Sequence, residues 1–596
     1  MGLGYRAISW NPYKRRFDLW LLGAIALHLA LFVGLGGWRH PQATAETLSI
    51  RALAVGAFLL LTAILAIGPL ARLDNRWLPL LYNRRHLGVA MFLLAAAHAG
   101  FALLQFHGFG SLDPLVSLLV SNPRAGSLSQ FPFEWLGLGA LAILFLMAAS
   151  SHDFWLAQWS APVWKRLHLG VYGAYWLVVL HVALGPLQDD ARPGAWAVLL
   201  APAAALAGLQ LTAAWRERSK DREPPAPAAG WLPIGDPASI PDGRARLVVA
   251  GGERVAVFRD GQRLFALSGV CQHQNGPLGE GRVRAGCAVC PWHGYEYRLE
   301  SGRSPEPFQE AVPQFRLRIV AGQLELDPRP LPPGSSLPPL EVQAASEAPP
   351  EPFFVGYAAE SDPALRAAWR RRALLLAGPL LLLSALTGAL QPPFARSAFE
   401  FGRPRELSGW IGLTPAPHLA VPRPGSEGFS RYLLVAQGKH GAAELAAPFD
   451  GRFVSLSASL AHRDGATLLE LVPDSIQPAA PPALQPEAAG PRELGPQRLR
   501  GEIVDSKCFL GVMKPGELKS HRACASLCIR GGIPPVLCVR RDDGSALYWL
   551  LVDAAGGAIN QAVLPYVAEP VEIEGQGQVF GDLRVLRVDP ADIRRL

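Results

Sequence analysis

The sequence predicts a multi-domain membrane protein. It has a bundle of six transmembrane helices, an all-β domain, one further transmembrane helix, and mainly-β domains beyond it, the last of them OB-like. Three observations predict this. Seven apolar runs are each about long enough to cross a hydrocarbon core, which takes roughly 20 helical residues. Basic residues gather at alternate ends of those runs. The segments between and after them alternate β-branched and aromatic residues around Gly-rich turns. Apolar residues make up 50% of the 596-residue chain and charged residues 18%, which is rich for a soluble protein and poor for a purely membrane one. The basic residues behind the net charge of +7 sit at the ends of apolar runs, so they read as topology rather than a phosphate-binding face. Nucleic acid is not an expected partner.

The runs lie at Phe17–Trp38, Ala52–Ala71, His86–Phe106, Glu134–Ser150, Leu167–Leu187, Ala195–Trp215 and Ala373–Leu390, the fourth being short. The first follows Lys14, Arg15 and Arg16, and Ala43-Thr44-Ala45 looks like a leader cleavage site. The run is long for a leader core, so it is read as a retained helix. One set of connections carries Lys14–Arg16, then Arg72, Arg76, Arg84 and Arg85, then Lys165 and Arg166, then Arg216, Arg218, Lys220 and Arg222, then Arg366 and Arg370–Arg372. The alternate loops hold little beyond Arg39, Arg51, Arg124 and Arg192. The positive-inside rule therefore puts the amino terminus and the segment between the sixth and seventh runs in the cytoplasm. Everything after the seventh run lies outside, in the periplasm of a bacterium whose inner membrane the protein crosses several times.

The expected domains are 1–216, the helical bundle; 217–230, a linker; 231–330, a β domain; 331–365, a Pro-rich linker; 366–391, the seventh helix; 392–475, an outer β domain; 476–496, a second Pro-rich linker; and 497–596, a Cys-containing β domain. In 231–330, Asp260-Gly261 marks a hairpin. Pro-rich linkers are extended and semi-rigid. No convincing internal repeat is visible.

Within the first β domain, Cys271 and His273 precede Cys290 and His293 by sixteen intervening residues. Two Cys and two His can hold structural zinc, but such sites usually pair Cys with Cys and His with His. Here each loop supplies one of each. Two sulfide-bridged irons need that, because one iron takes both thiolates and the other both imidazoles. Cys-x-His followed by Cys-x-x-His, within "FALSGVCQHQNGPL" and "CPWHGYEY", resembles the Rieske ferredoxin fold over about 100 residues. The resemblance implies a Rieske [2Fe–2S] cluster on those four residues. High-potential members carry a second Cys in each loop and a Ser two residues after the last His. This chain has no such Cys after the first loop, Trp292 in the second, and Tyr295 for the Ser, while Tyr297 remains as a hydroxyl donor. The expected potential is in the lower part of the range of roughly −150 to +300 mV. Cys287 reads as a small buried hydrophobe. The fourteen His offer no two-His, one-carboxylate iron site in a soluble segment, which weighs against an oxygenase.

Ionisable residues inside spans are expensive and default to function. His86 opens the third run and His98 lies twelve residues deeper; His168 opens the fifth and His181 lies thirteen deeper. Each pair along a helix is roughly 18–20 Å apart in depth, so His86 matches His168 and His98 matches His181. Two facing His on two helices are what a six-coordinate b-type haem needs. On an ideal helix those spacings put the paired His on different faces, so a bulge or a rotated haem has to absorb the difference. "RRHLGVAMFLLAAAHA", "VWKRLHLGVYGAYWLVVLH" and "LAIGPLAR" resemble the ferric-reductase-like transmembrane domain. The resemblance spans Phe17 to Ala213. It implies a six-helix haem bundle with one or two haems b, best matched by His98, His168 and His181. His28 reads as a packed polar residue. No Gly-x-Gly-x-x-Gly or other nucleotide cradle follows, and the Rieske-like domain takes that place.

Outside, Cys508, His521, Cys524, Cys528 and Cys538 fall close together. His521, Cys524 and Cys528 share one face of a short helix that Gly531-Gly532 would end. Four cysteines in an oxidising compartment allow three disulfide connectivities; a metal or haem-related site is the alternative. The chain is thus expected to be a membrane oxidoreductase. It would pass electrons between a cytoplasmic donor or acceptor, the cluster, the haems and a periplasmic domain or partner. A quinone-linked cytochrome, or a structural or sensory redox subunit of a larger complex, is the alternative.

Overall fold

The computed structural model describes residues 12–77, 80–81, 83–151, 155, 161–190, 192–220, 230–273, 275–292, 294–306, 308–343, 363–425, 428–483, 491–541 and 545–596. His293 lies outside the described residues. All seven apolar runs are helical. They form α1 (Pro12–Arg39), α2 (Ala45–Leu73), α3 (Arg84–Ala102), α4 (Phe133–Ala149), α5 (Gly170–Leu184), α6 (Pro193–Lys220) and α7 (Pro363–Ala389). Six of these helical stretches are long and apolar enough to cross a membrane, and α4 is a shorter apolar helix. The core of the bundle joins Leu61 and Leu65 of α2, Met91 of α3, Leu144 of α4, Tyr175 and Val179 of α5, and Leu206 of α6. Leu19, Trp20 and Leu22 of α1, Trp176 of α5 and Leu211 of α6 point outward and exposed. So large an apolar girdle suits lipid rather than water. The chain is a multi-pass membrane protein.

The seventh helix packs against α1, and His28 explains part of that fit. Its Nε2 lies 2.9 Å from the Ala52 carbonyl and its Nδ1 2.6 Å from Ser384 Oγ. A neutral ring with its proton on Nε2 donates to the first and accepts from the second. Both nitrogens are engaged, in keeping with a packed polar residue.

Between α6 and α7 lie three small antiparallel sheets. Strands Ala245–Ala250, Glu253–Asp260 and Arg263–Ser268 form a meander. Strands Arg282–Arg284, Cys287–Val289 and Glu296–Arg298 form a second one beneath the cysteine loops. The segment after residue 330 is not simply a linker. Leu340–Glu341 adds a strand beside Leu264 and Arg263, and Val342 N–H bonds to the Gln262 carbonyl. Fully buried Arg259 donates to the carbonyls of Gly261, Pro237 and Gln343. A buried guanidinium needs acceptors, and this tail supplies one.

Beyond α7 stand two barrels of one design. The first comprises Arg405–Gly412, His418–Pro422, Phe429–Val435, Phe453–Arg463 and Ala466–Leu471. The second comprises Arg492–Asp505, Pro535–Arg540, Ala546–Asp553, Pro570–Phe580 and Leu583–Val588. In each, strand one pairs with two, two with three, three in parallel with five, five with four, and four with one. In each, a short helix joins strands three and four: Ala443–Ala446 and Asn560–Val563. This is OB-like closure, expected for the second unit and found in both. The fold is therefore repeated although the sequence shows no evident repeat. The second barrel's first strand begins at Arg492, within the stretch read as linker. The barrels differ between strands one and two: the first has only residues 413–417 there, and the second has 506–534.

The soluble parts occupy opposite ends of the bundle. Trp292 packs against the cluster of Ile67, Ala71, Leu80 and Leu81 between α2 and α3, and Arg254 pairs with Glu217 of α6 at 2.7 Å. At the other end, Thr47 at the start of α2 donates to the Lys514 carbonyl, and Lys514 Nζ donates to the Gln42 carbonyl. Lys519 Nζ donates to the carbonyls of Leu184 and Ser129 and to Gln188 Oε1, at 2.6–2.8 Å.

Candidate functional site

Three groups of cysteine and histidine residues lie in the first β domain, in the helical bundle and in the second barrel. The first is the pair of loops above the second small sheet. Cys271 and Cys290 are each 1% exposed. Cys271 N–H bonds the Gly276 carbonyl and Cys290 N–H the Tyr295 carbonyl, so each loop is closed by its own backbone. The loops meet at Gly276, where a Cβ would lie 2.7 Å from Cys290 Sγ. Only glycine permits that approach, and it brings the first loop onto the second loop's sulfur. Tyr297, fully buried, sits 3.4 Å from Cys271 Sγ and accepts the Gln272 N–H at 2.9 Å. Burial and the Cys271 sulfur's charge push its phenol well above the usual range, so the hydroxyl stays protonated and donates to the sulfur. Tyr295 turns its hydroxyl to Glu310 instead and stacks its ring on His273, 5.0 Å between centroids and 7° apart. The loops thus converge two Cys and His273, with a hydroxyl donor on one sulfur. That donor set fits an iron–sulfur cluster. Cys287 is a buried strand residue.

The second group is the four membrane histidines. His98 Nδ1 lies 3.1 Å from the Ile50 carbonyl, His181 Nδ1 2.9 Å from the Phe133 carbonyl, and His168 Nδ1 3.0 Å from the Trp164 carbonyl. His86 Nδ1 lies 2.7 Å from Asp18. A carbonyl or carboxylate can only accept, so each Nδ1 carries a proton and Nε2 is the nitrogen left for another partner; that of His168 stands 3.5 Å from Ser151 Oγ. Metal-ligating imidazoles are oriented this way. His98 is close enough to act on the charge of His181, and Arg84 and Arg85, beside His86, act on His168. Gly137 of α4 faces His181, where a Cβ would stand 2.9 Å from the ring. The helix carrying His168, Ala161–His168, is interrupted at Leu169 before α5 begins.

The third group is in the long insertion of the second barrel. Strand one ends at Asp505, whose Oδ1 accepts the Cys508 N–H at 2.7 Å. The helix α8 (Arg522–Arg530) carries Cys524 and Cys528, and Gly531 caps it. Cys508, Cys524 and Cys528 place their sulfurs within 4.8 Å of one another, all buried. His521 Nε2 lies 2.9 Å from Asp505 Oδ2, both fully buried. None of Cys508, Cys524, Cys528 and Cys538 is in a disulfide. Three sulfurs converge where a disulfide would need two. Cys538 stands outside this group; burial pushes its thiol up to about 12. Burial opposes ionisation of Cys524, but hydrogen bonds from Cys508 and Cys528 and the charges of His521 and Lys439 outweigh it and hold that thiol well below its usual range. Asp505 was not singled out in the sequence, and Trp292 was read only as standing where a second Cys would be, not as a contact residue. The Asp-x-x-Cys turn was a usable signal for the first; nothing local marks the second.

Residues 230–316 match the Rieske [2Fe-2S] domain family model, and residues 51–179 match the ferric reductase like transmembrane component. The anthranilate 1,2-dioxygenase ferredoxin subunit of Burkholderia cepacia is 36% identical over 104 residues, covering 17% of this chain and 95% of that protein. The chain belongs to the Rieske [2Fe–2S] family. The Rieske match extends to the ferredoxin component of an alkene monooxygenase system from Xanthobacter autotrophicus, 27% identical over 92 residues, covering 15% of this chain and 75% of that component. It also extends to the cholesterol 7-desaturase of Xenopus laevis, 32% identical over 103 residues. There it covers 17% of this chain and 23% of the desaturase. This Rieske protein is therefore a membrane oxidoreductase with a ferric-reductase-like transmembrane part, and its Rieske domain supports a [2Fe–2S] cluster. Among the described residues, the groups of three or more potential ligands are Cys508, Cys524 and Cys528, and Asp505, Cys508 and His521. Neither is the two-His, one-carboxylate set that a mononuclear oxygenase iron would require.

Proposed function

We propose that the protein conducts electrons across a bacterial inner membrane, between a soluble carrier at the Rieske end and an acceptor or donor at the barrel end. Cys271, His273, Cys290 and His293 would hold the cluster. His86 with His168, and His98 with His181, would hold two b-type haems. Bound there, these groups would supply one-electron chemistry. The basic residues at the Rieske end of the spans support a cytoplasmic Rieske end and periplasmic barrels.

The observation that carries the reading is the shared posture of the four membrane histidines. Each turns Nδ1 to a protein oxygen, and Nε2 is the nitrogen that would meet a haem iron. Packing alone does not require four histidines at two depths to choose the same tautomer. The chain's other residues support continuity. Trp292, adjacent to His293, and Leu87, adjacent to His86, pack against the same cluster of Ile67, Ala71, Leu80 and Leu81. At the far end, Lys519 holds the insertion of the second barrel to the last carbonyl of α5, three residues beyond His181.

The test is reconstitution into sealed vesicles with ferricyanide trapped inside and a membrane-impermeant reductant outside. The expected result is reduction of the trapped ferricyanide that depends on Cys271, His98 and His181. Protein with full haem and cluster content that leaves the trapped oxidant untouched would refute the proposal.

A further inference from the structure

We propose that Cys508, Cys524 and Cys528, with His521 beside them, form a site for one thiophilic d10 metal ion, zinc(II) or copper(I). Thiolate sets select soft or borderline ions of this kind. The distance between Cys508 Sγ and Cys524 Sγ is 4.0 Å. Three sulfurs about 2.3 Å from a shared tetrahedral centre stand about 3.8 Å apart. The cluster is therefore already near the size that one ion demands. A disulfide would need sulfurs about 2.0 Å apart and would leave the third sulfur over.

The surroundings also point to an ion rather than to cysteines used as small hydrophobes. Asp505 and His521 are fully buried beside the sulfurs, and burying such groups is costly unless they are employed. Asp505 grips one ring nitrogen of His521. The other, Nδ1, is buried with no hydrogen-bond partner. A carboxylate on one imidazole nitrogen and a metal near the other is a recurring second-shell arrangement. His521, which groups with Cys508 and Asp505, stands beside the sulfurs as a candidate fourth ligand.

The site's place in the fold agrees. All of these residues except Asp505 lie in the 506–534 insertion, and the sister barrel has only residues 413–417 at that point. The insertion packs α8 on the Leu103–His107 turn that ends α3, and Cys524 acts electrostatically on His107. From His98 to His107 is nine residues, about 13 Å along a helix. The ion would sit at the seam between barrel and bundle, on the side of His98 and His181. Binding would release the thiol protons and tie the insertion together, since such ions contribute folding energy directly.

The test uses the full-length protein purified with thiols reduced. Zinc(II) and copper(I) are titrated separately and anaerobically against a competing chelator. The expected result is saturable binding of one equivalent of at least one of the two ions, with metal–sulfur distances of about 2.3 Å by X-ray absorption. Zinc alone makes the site a structural pin; copper makes it a redox station; both outcomes support the site. C508S, C524S and C528S should each weaken retention at least tenfold, whereas C538S should keep it. Binding by the unmodified chain is read before any variant, so misfolded variants do not blur the result. No saturable binding of either ion, equal retention by C508S, or a Cys508–Cys524 disulfide in the protein as isolated would overturn the proposal. The readout counts metal at the barrel and does not depend on haem, so it can fail or succeed separately from the electron-transfer reading.

Discussion

Tyr297→Phe should lower the midpoint potential of the Rieske cluster by about 40 mV. The Tyr297 hydroxyl donates to Cys271 Sγ at 3.4 Å. A donor aimed at a ligating sulfur stabilises the reduced, more negative state more than the oxidised one, so its loss lowers the potential. A hydrogen bond to a charged group contributes about 1.5–3 kcal/mol. This one is long and persists in both redox states, so only about 1 kcal/mol is taken as the difference. A factor of ten in a one-electron equilibrium is about 59 mV and about 1.4 kcal/mol, which gives the figure of about 40 mV. The same change strips the Gln272 N–H of its acceptor; that loss loosens the loop in both states and largely cancels from the potential. The assay is an EPR-monitored redox titration of variants matched for iron and sulfide. Tyr295→Phe is the control, because Tyr295 gives its hydroxyl to Glu310, and its shift should be smaller. An unchanged or raised potential in Tyr297→Phe, with cluster content intact, would refute the reasoning. The unmodified domain should titrate in the lower part of the range of roughly −150 to +300 mV, and a midpoint above about +200 mV would contradict its hydrogen-bond count.

Other perturbations test other parts. His98→Ala and His181→Ala should each remove the same haem, and His86→Ala and His168→Ala the other; reduced-minus-oxidised spectra with haem quantitation would show two pairs of matching losses. Gly276→Ala places a Cβ 2.7 Å from Cys290 Sγ, so cluster iron should fall below half while haem content holds. Trp292→Ala should leave the cluster's spectrum in place but loosen the Rieske domain's seat. Full burial of such a ring is worth about 3–5 kcal/mol and this one is partly exposed, so about 1–3 kcal/mol of docking is at stake. Rapid-mixing kinetics should then show haem reduction from the cluster side slowed at least tenfold, and an unchanged rate would separate Trp292 from the route.

The features legible in the sequence were those set by local chemistry. Apolar run length and the placement of arginines marked the spans, because lipid imposes both. Ligand spacing marked the cysteine–histidine loops, because a cluster fixes which residues must meet. What was not legible depended on partners far along the chain. The Pro-rich tail after residue 330 has linker composition. It nevertheless supplies a strand beside Leu264 and an acceptor for Arg259, and nothing within the tail announces that a buried guanidinium more than 80 residues earlier needs it. The barrel repeat was hidden for a related reason. A five-stranded barrel asks for alternation and turns, which many unrelated sequences provide. The sequence left disulfides and a metal site both open for the outer cysteines; how Cys508, Cys524 and Cys528 converge depends on a turn at Asp505 that brings Cys508 back toward α8.

The two ends of the bundle are held by different chemistry, and the difference bears on how the parts are aligned. The Rieske domain rests on Trp292 in an apolar patch, with the Arg254–Glu217 ion pair to α6 as a further hold. The barrel end is held by lysines. Lys519 meets the last carbonyl of α5, and Lys439 meets the carbonyls of Gln105 and Gly108 where α3 runs out. Helix ends leave such carbonyls without partners and carry partial negative charge, so an ammonium there is matched in both hydrogen bonding and sign. Burial has a cost: it brings Lys519 down to about 8 despite the nearby Asp189 and Glu134. Its folded pKa lies below its unfolded value, so its titration favours the folded state more as pH rises from about 8 toward 10.5. At neutral pH its charge is held against that gradient. Buried ionic contacts of this kind contribute orientation more readily than net stability. Lysines placed on the ends of the two histidine helices therefore fix where the cysteine-bearing insertion sits relative to His98 and His181. A hydrophobic seat of the same area would leave that register free to slide.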